Sequence, residues 1–150
     1  MSVGRICSRV VATASPRDSV AHAATRMREF AVGSLVVVDD HRKPLGILTD
    51  RDIVLRVVAA GLDPADTLAS DVMSAPVGGV NEATPLEEAL EVMERRGVRR
   101  LAVTGEEGAL TGIFAMDDAL EFMIGELNRV RRVLQKQGRA SGGSGGEVDS

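Results

Sequence analysis

The sequence predicts an α+β protein built from two related copies of one unit, each with the order strand, helix, strand, strand, helix. An internal repeat supports this: shifted by 66 residues, residues 6–54 align with residues 72–120 without a gap, and ten of the 49 positions are identical. The hydrophobic periodicity also changes in the same order in both copies. Two copies are too few for a solenoid, so we expect a pseudo-twofold pair that shares one core.

In the first copy, turn and capping residues separate the predicted elements. Asp18 or Ser19 is placed to cap the first helix, and Gly61 with Pro64 ends the second. One face of the first helix is apolar, formed by Val20, Ala23, Ala24 and Met27. Strands are predicted at residues 10–13, 34–38 and 45–48.

The second copy repeats this order and adds a longer last helix. Thr84 is expected to cap its first helix, with Pro85 in the first turn. Strands are predicted at residues 77–80, 101–103 and 110–114. The last helix is predicted at residues 117–137, with Gly138 as its stop. Its apolar stripe, which suits a subunit interface, comprises Leu120, Met123, Ile124, Leu127, Val130 and Leu134.

These elements divide the chain into four parts. Residues 1–62 form the first repeat, and a polar linker at residues 63–71 follows. The second repeat with its extended helix covers residues 72–137. The Gly/Ser-rich residues 138–150 are expected to be disordered, because such a composition has too few apolar side chains to fold.

The composition favours a compact protein of the cytoplasm. Of the 150 residues 44% are apolar and 27% are charged, which suits one packed core. A net charge of −4 and only three aromatic residues disfavour bulk binding of nucleic acid. The single cysteine, Cys7, excludes an intrachain disulfide and a cysteine-rich metal cluster. No signal peptide or membrane span is recognisable, so we expect no membrane association.

One segment that joins a strand to a helix carries polar side chains at the junction. Residues 46–52 read Gly-Ile-Leu-Thr-Asp-Arg-Asp, which places Thr49 and Asp52 one turn apart at a helix N-terminus. Such a terminus attracts anions, and there Thr49 can donate to a phosphate while Asp52 accepts from ribose hydroxyls. A plain capping box explains the same pair without any ligand. In the second copy Ala115 replaces the threonine, while Asp118 keeps the carboxylate, either to bind ribose or to favour the helix start.

A cluster of arginines distinguishes the second copy from the first. It comprises Arg95, Arg96, Arg99 and Arg100, whose counterparts in the first copy are not basic. Pseudo-twofold packing would bring Arg99 or Arg100 towards a phosphate near Thr49, where a guanidinium grips well. A solvated helix end and an exposed strand start explain the same charges equally well.

The order of elements, the segment at residues 46–52 and the strand Val-Arg-Arg-Leu-Ala-Val at residues 98–103 resemble a CBS domain pair, or Bateman module. The resemblance covers residues 3–127. In that family the Thr/Ser-x-x-Asp motif after the glycine contacts the phosphate and ribose of an adenosine-containing ligand. The first strand of a repeat lines the adenine pocket through main-chain groups. The expected ligand-binding residues are therefore Thr49, Asp50, Asp52, Val11, Thr13, Arg99, Arg100 and Asp118.

The resemblance also implies a function. A CBS pair supplies regulation and not catalysis, so we expect an energy or metabolite sensor that binds AMP, ADP, ATP or S-adenosylmethionine and requires no cofactor. Because Ala115 departs from the motif, the two sites are expected to be unequal, with one good nucleotide site per chain. CBS pairs commonly form disc-like dimers, so a homodimer and a separate regulated partner protein are expected.

Two other classes of function compete with this interpretation. A structural scaffold would keep the fold and the dimer surface but use Thr49 and Asp52 only as a cap. An enzyme is disfavoured, because the sequence offers no nucleophile with a base, no metal-ligand cluster and no phosphate-binding P-loop.

Overall fold

The two copies have the same order of elements in the computed structural model, which describes residues 1–75 and 79–142. The first copy comprises β1 (Thr13–Ala14), α1 (Val20–Phe30), β2 (Ser34–Val38), β3 (Pro44–Thr49) and α2 (Asp50–Ile53). A π-helical segment, Val54–Val58, continues α2, and the short helix α3 (Ala69–Val72) leads into the second copy. The second copy comprises β4 (Gly79–Asn81), α4 (Leu86–Arg96), β5 (Arg100–Thr104), β6 (Leu110–Ala115) and α5 (Met116–Gly142).

Each copy contains a three-stranded mixed sheet, which confirms the predicted α+β fold. The orders are β1-β2-β3 and β4-β5-β6, with the first pair of strands parallel and the second antiparallel. Both antiparallel pairs shift register at the same place, after Val37 in one sheet and after Val103 in the other. The repeat in the sequence therefore extends to the register of the strands.

The central strands are apolar without alternation because both of their faces are buried. Leu35 and Val37 lie in a core with Val20, Ala23 and Met27 of α1. Between them, Val36 points to the opposite face and packs in a second cluster with Ala102 and Leu110 of the other copy. A strand covered on both sides needs a continuous apolar run. The two sheets thus share a core, as the repeat predicts.

The helix starts agree with the sequence in one copy and differ in the other. Ser19 caps α1, its hydroxyl accepting a hydrogen bond of 3.1 Å from the His22 N–H. The expectation that Thr84 caps α4 is wrong: Pro85 is the N-cap, and it offers no side-chain acceptor. The Thr84 hydroxyl is used one turn earlier, where it accepts from the Asn81 N–H at 3.1 Å. The Thr84 side chain therefore closes the turn before α4 instead of capping the helix.

Other boundaries differ at the ends of elements. The first strand is shorter and later than residues 10–13, and the predicted strand at 77–80 lies partly outside the described residues. Helix α5 runs through Gly138 to Gly142, so the expected stop at Gly138 is wrong. A glycine inside an exposed helix costs only about 1 kcal/mol, which a long helix tolerates. Residues 143–150 of the predicted tail lie outside the described residues.

The chain divides into two units, residues 1–116 and residues 117–150. The first unit contains both sheets and all helices that precede α5. The second unit, in its described part, is the helix α5. None of the helices in the described residues is both long and apolar enough to cross a membrane.

The segments that lead into each copy are exchanged between the sheets. Ser8, which precedes β1 of the first copy, exchanges two backbone hydrogen bonds of 2.9 Å with Ile113 in the sheet of the second copy. Ser74, which precedes β4 of the second copy, does the same with Ile47 of the first at 2.9 and 3.1 Å. Each leading segment thus extends the sheet of the other copy, and these bonds join the two halves.

Two glycines make room for this exchange. A Cβ at Gly46 would clash with the Met73 side chain and lie 3.0 Å from the Ser74 carbonyl oxygen. One at Gly112 would lie 2.8 Å from both the Cys7 Sγ and the Ser8 carbonyl oxygen. Glycine is therefore needed here for close backbone approach. The neighbour that Gly46 admits is thus the crossing segment itself.

An ion pair adds a second link between the copies, without a counterpart in the repeat. The Arg9 guanidinium pairs with the Glu82 carboxylate and also donates to the Gly4 carbonyl at 2.7 Å. The hydrogen bond from Arg9, and after it one from Thr111, holds the pKa of Glu82 below its usual value. The pair thus stabilises the folded state only while Glu82 is ionised.

Replacement of Gly112 tests the exchange of leading segments. We expect Gly112→Ala to lower the free energy of unfolding by about 2 kcal/mol, because the Ser8 backbone must move to admit the new methyl group. Gly79→Ala is the matched control, since its Cβ would meet the Ala102 oxygen at an ordinary 3.5 Å. Urea denaturation measures both variants. Equal losses in the two would contradict the assigned role of Gly112.

Replacement of Glu82 tests the ion pair through its pH dependence. Because the pKa of folded Glu82 is lowered, its contribution is complete above the ordinary value of 4.5 and is lost as the pH falls through the folded value. Below about pH 4.5, the Tm of Glu82→Gln should therefore fall less steeply with pH than that of the unaltered protein. Glu107→Gln, in the β5–β6 turn, is the control and should keep the original slope.

Candidate functional site

A cavity of about 720 Å³ lies where the two copies meet. The first copy contributes the end of β3 and the start of α2, and the second contributes its leading segment and the connection from α4 to β5. A volume of this size accommodates a small organic ligand. The lining residues are Ile47, Thr49, Arg51, Ser74, Ala75, Arg96, Gly97, Val98, Arg99, Arg100 and Leu101.

The fold explains why Thr49 and the arginines share this cavity. Thr49 ends β3, and β3 is the strand onto which the leading segment of the second copy crosses at Ser74. The same pairing places residues of the second copy beside the end of β3. Helix α4 ends at Gly97 with φ 63°, a left-handed turn that sends the chain back through Arg99 and Arg100 into β5. The structure therefore brings Thr49, Arg99 and Arg100 to one cavity.

Thr49 and Asp52 form a reciprocal capping box. The Thr49 hydroxyl accepts from the Asp52 N–H, and the Asp52 carboxylate accepts from the Thr49 N–H, each at 3.0 Å. The other Asp52 oxygen, Oδ1, lies 4.0 Å from Nε of Arg56. With its side chain only 13% exposed, Asp52 is held against its own helix and is not among the cavity-lining residues.

The first N–H groups of α2 are all engaged within the protein. The Asp50 N–H donates to the Gly33 carbonyl at 2.9 Å, and the Arg51 N–H donates to the Asp50 carboxylate at 2.8 Å. The Asp52 N–H donates to Thr49, as described above. Two carboxylates in this turn also oppose a second negative charge. The helix start alone is thus poorly suited to an anion.

Four of the lining residues are arginines. Arg51, Arg96, Arg99 and Arg100 line the cavity, and no acidic residue is among its described lining. None of the four forms an ion pair with another side chain in the described parts of the chain. In a protein of net charge −4, this places a local positive field at one cavity. The arginines, and not the backbone of α2, therefore make the cavity suitable for an anion.

This charge belongs to one side of the pseudo-twofold only. At the corresponding positions the other half has Phe30, Gly33 and Ser34 in place of Arg96, Arg99 and Arg100. It also has Ala115 in place of Thr49. The two halves thus differ in charge at the positions that correspond to the arginines and the threonine of the cavity lining.

The remaining expected site residues lie away from the lining. Val11 packs against the core cluster between the copies, and Thr13 lies in β1, where its carbonyl accepts from Nε of Arg26 at 2.9 Å. The Asp50 carboxylate accepts from the N–H of Arg51, and Asp118 lies in the first turn of α5. The sequence does not predict Arg51 or Arg96 as site residues. Arg96 belongs to the arginine cluster, and Arg51 follows Asp50 in the segment at residues 46–52, so both lie in segments that the sequence singles out.

Metal ligation is not indicated by the described residues, which contain no group of three or more His, Cys, Asp or Glu side chains placed to hold an ion.

Two pseudo-symmetric α+β repeats with a ligand-sized cavity at their junction define a two-repeat binding module. The CBS domain family matches this chain twice, at residues 3–59 and 69–125. The chain therefore belongs to the CBS domain family and contains two CBS domains, as the sequence predicts.

Comparisons with known proteins agree with this assignment. The uncharacterized protein MK0525 of Methanopyrus kandleri is 40% identical over 121 residues, which are 81% of this chain and 62% of that protein. The chain thus spans less than two thirds of that relative. The structure of Hypoxic Response Protein I with two coordinated zinc ions, from Mycobacterium tuberculosis, superposes with a TM-score of 0.74 at 33% identity, covering 81% of this chain and 98% of that one. The CBS domain protein PAE2072 of Pyrobaculum aerophilum, complexed with AMP, gives 0.70 at 26% identity, covering 79% and 89%.

Replacement of Thr49 tests the capping box. Thr49→Ala should lower the free energy of unfolding by about 1 kcal/mol, because the Asp52 N–H loses its acceptor. Thr49→Ser keeps the hydroxyl and should stay close to the unaltered protein. Urea denaturation without any ligand is the measurement. A loss in the serine variant as large as in the alanine variant would show that the methyl group, and not the cap, matters.

Proposed function

We propose that this chain is a regulatory module that binds one adenosine nucleotide per chain in the cavity between its CBS domains. One observation carries the proposal: the same cavity is lined by Thr49 of one domain and by Arg96, Arg99 and Arg100 of the other. Guanidinium groups bind phosphate through paired, charge-assisted hydrogen bonds. A phosphate-bearing ligand fits this lining better than a neutral or cationic one.

The comparison with PAE2072 supports an adenosine ligand, since that protein has been crystallised with AMP. AMP, ADP and ATP carry the negative charge that the arginines of the cavity would neutralise. S-adenosylmethionine, the other candidate, carries a positive sulfonium and lacks phosphate. We therefore propose nucleotides as the preferred ligands, and ATP or ADP above AMP because each added phosphate offers the arginines another anionic group.

Asp52, Val11 and Thr13 lie outside the cavity lining, so they are proposed to contact the nucleoside where it would extend beyond the arginines. Asp50 and Asp118, which belong to the helix starts of the two motifs, are proposed to lie near it. Asp52 can accept from a ribose hydroxyl through Oδ1, because Oδ2 is used by the Thr49 N–H. Arg56, whose guanidinium donates to the Val72 carbonyl at 3.0 Å, would keep that oxygen oriented. Val11 and Thr13 would offer main-chain groups to the base. No cofactor is required for this binding.

Regulation follows from the position of the cavity. Its walls come from both domains, so an occupant that contacts Thr49 and Arg99 together favours one arrangement of the two. A protein that binds one arrangement better would then respond to nucleotide levels. We propose such an energy or metabolite sensor, acting in the cytoplasm as a homodimer on a separate regulated protein, with no catalytic activity of its own.

A non-binding scaffold is the second candidate, and the capping box favours it. Thr49 and Asp52 satisfy each other without any ligand. In this case the module would serve only to dimerise and to support a partner protein. The arginines do not fit this candidate, because four like charges facing one cavity repel each other unless an anion joins them.

Calorimetric titration with AMP, ADP, ATP and S-adenosylmethionine tests the proposal. The unaltered protein should bind ATP near one equivalent per chain and bind S-adenosylmethionine more weakly. The double variant Arg99→Gln, Arg100→Gln should lose at least about tenfold in ATP affinity, since each charged hydrogen bond contributes about 1.5–3 kcal/mol. Both side chains are exposed, so the fold should be retained.

Arg95→Gln is the matched control for that experiment. Arg95 belongs to the same cluster and carries the same charge, but it is not among the cavity-lining residues. Its affinity for ATP should be nearly unchanged. Equal losses in the control and the double variant would indicate a general charge effect, and no binding of any of the four ligands would establish the scaffold.

A further inference from the structure

Helix α5 carries an apolar seam at alternating spacings of three and four residues. This spacing is the a and d pattern of a coiled coil, with a at Leu120, Leu127 and Leu134. The seam residues are between 39 and 68% exposed. In order, they are Leu120, Met123, Leu127, Val130 and Leu134.

Two further apolar side chains widen the seam. Ile124 follows Met123 at an e position, Val133 precedes Leu134 at a g position, and both are more than half exposed. The opposite side of the helix is polar and includes Arg129, Arg132 and Lys136. An exposed apolar stripe with a charged back is stable in water only when another surface covers it.

The charged residues beside the seam indicate which surface covers it. With a at Leu127, Glu126 occupies a g position and Arg131 the e position of the next heptad. In parallel coiled coils a g residue pairs with the e′ residue five positions later on the other helix. Glu126 of one copy would therefore meet Arg131 of another, and the symmetry of the pair would form this contact twice.

An antiparallel arrangement lacks this complementarity. There, g residues face g residues and e residues face e residues, so Glu126 would meet the apolar Val133 or a second Glu126. Arg131 would likewise meet Ile124 or a second Arg131. Only parallel helices in register satisfy both the apolar seam and the charges.

We propose that α5 pairs with α5 of a second copy of this chain as a parallel, in-register coiled coil over residues 120–134. The seam extends about 22 Å at 1.5 Å per residue, within the 27-residue helix. The proposal sets the orientation of the homodimer, which the proposed function leaves open. It depends on α5 alone and is independent of nucleotide binding.

Disulfide trapping tests the orientation in the full chain. Cys7, the only native cysteine, is first replaced by serine. Val130→Cys at a d position should then give a disulfide-linked dimer on mild oxidation, because equivalent d residues face each other in register. Arg132→Cys, at the outer f position, should not. An antiparallel pair would instead form a disulfide only when Leu127→Cys chains are mixed with Val130→Cys chains. That result would overturn the proposal, and so would the absence of a disulfide both in Val130→Cys alone and in the mixture.

Charge exchange provides an independent test by analytical ultracentrifugation. Glu126→Arg and Arg131→Glu should each weaken self-association several-fold, because each places like charges across the interface. Mixing the two variants should restore association as heterodimers, since both cross-helix contacts become attractive again. Glu121→Arg at an outer b position is the control and should associate normally. Independent weakening without recovery on mixing would contradict the proposed Glu126–Arg131 contacts.

Discussion

The exchange of leading segments between the two sheets is the constraint on which the first unit depends. Ser8 pairs with Ile113 and Ser74 with Ile47, so neither sheet is complete without backbone from the other copy. In each pairing the crossing backbone lies within hydrogen-bond distance of the strand that it joins. A side chain at Gly46 or Gly112 would prevent that approach. The glycine that resembles part of a ligand motif in the sequence is thus first a packing requirement. Its occurrence in both copies follows from the pseudo-twofold symmetry of the exchange.

The same exchange creates the cavity. Ser74 and Ala75 reach its wall because they belong to the crossing segment, and Arg99 and Arg100 reach it because β5 begins where α4 turns back. Symmetric packing would give two equivalent cavities, but the side chains at these positions differ between the halves. Backbone geometry was therefore retained in both copies while charge was concentrated on one side. Both domains therefore contribute walls to the cavity, so a ligand placed there would contact both of them.

The sequence predicted the elements best where both faces or one clear face of an element are buried. The limits of β2 agree with the structure because three consecutive buried residues leave little freedom of register. It failed where local chemistry had alternatives: Thr84 can cap a helix or close a turn, and Gly138 can end a helix or be tolerated inside it. The meeting of Arg96 with Thr49 is a tertiary contact between residues far apart in the chain. An offset of 66 residues indicates that the copies are equivalent, but it does not show which side chains face each other.

The capping box changes how an anion would be bound. The sequence favours a helix N-terminus as the anion site, yet the N–H groups of Asp50, Arg51 and Asp52 already have acceptors within the protein. Displacing those acceptors would cost helix stability, and the carboxylates of Asp50 and Asp52 would still repel a phosphate. Side-chain guanidinium groups avoid both costs, because their donors are not needed by the backbone. Thr49 can contribute through its hydroxyl hydrogen, since the cap uses only the oxygen as an acceptor. In the proposed binding mode the second domain would supply most of the charge neutralisation, and the first would supply Arg51 and the hydroxyl of Thr49, so that the ligand would contact both domains.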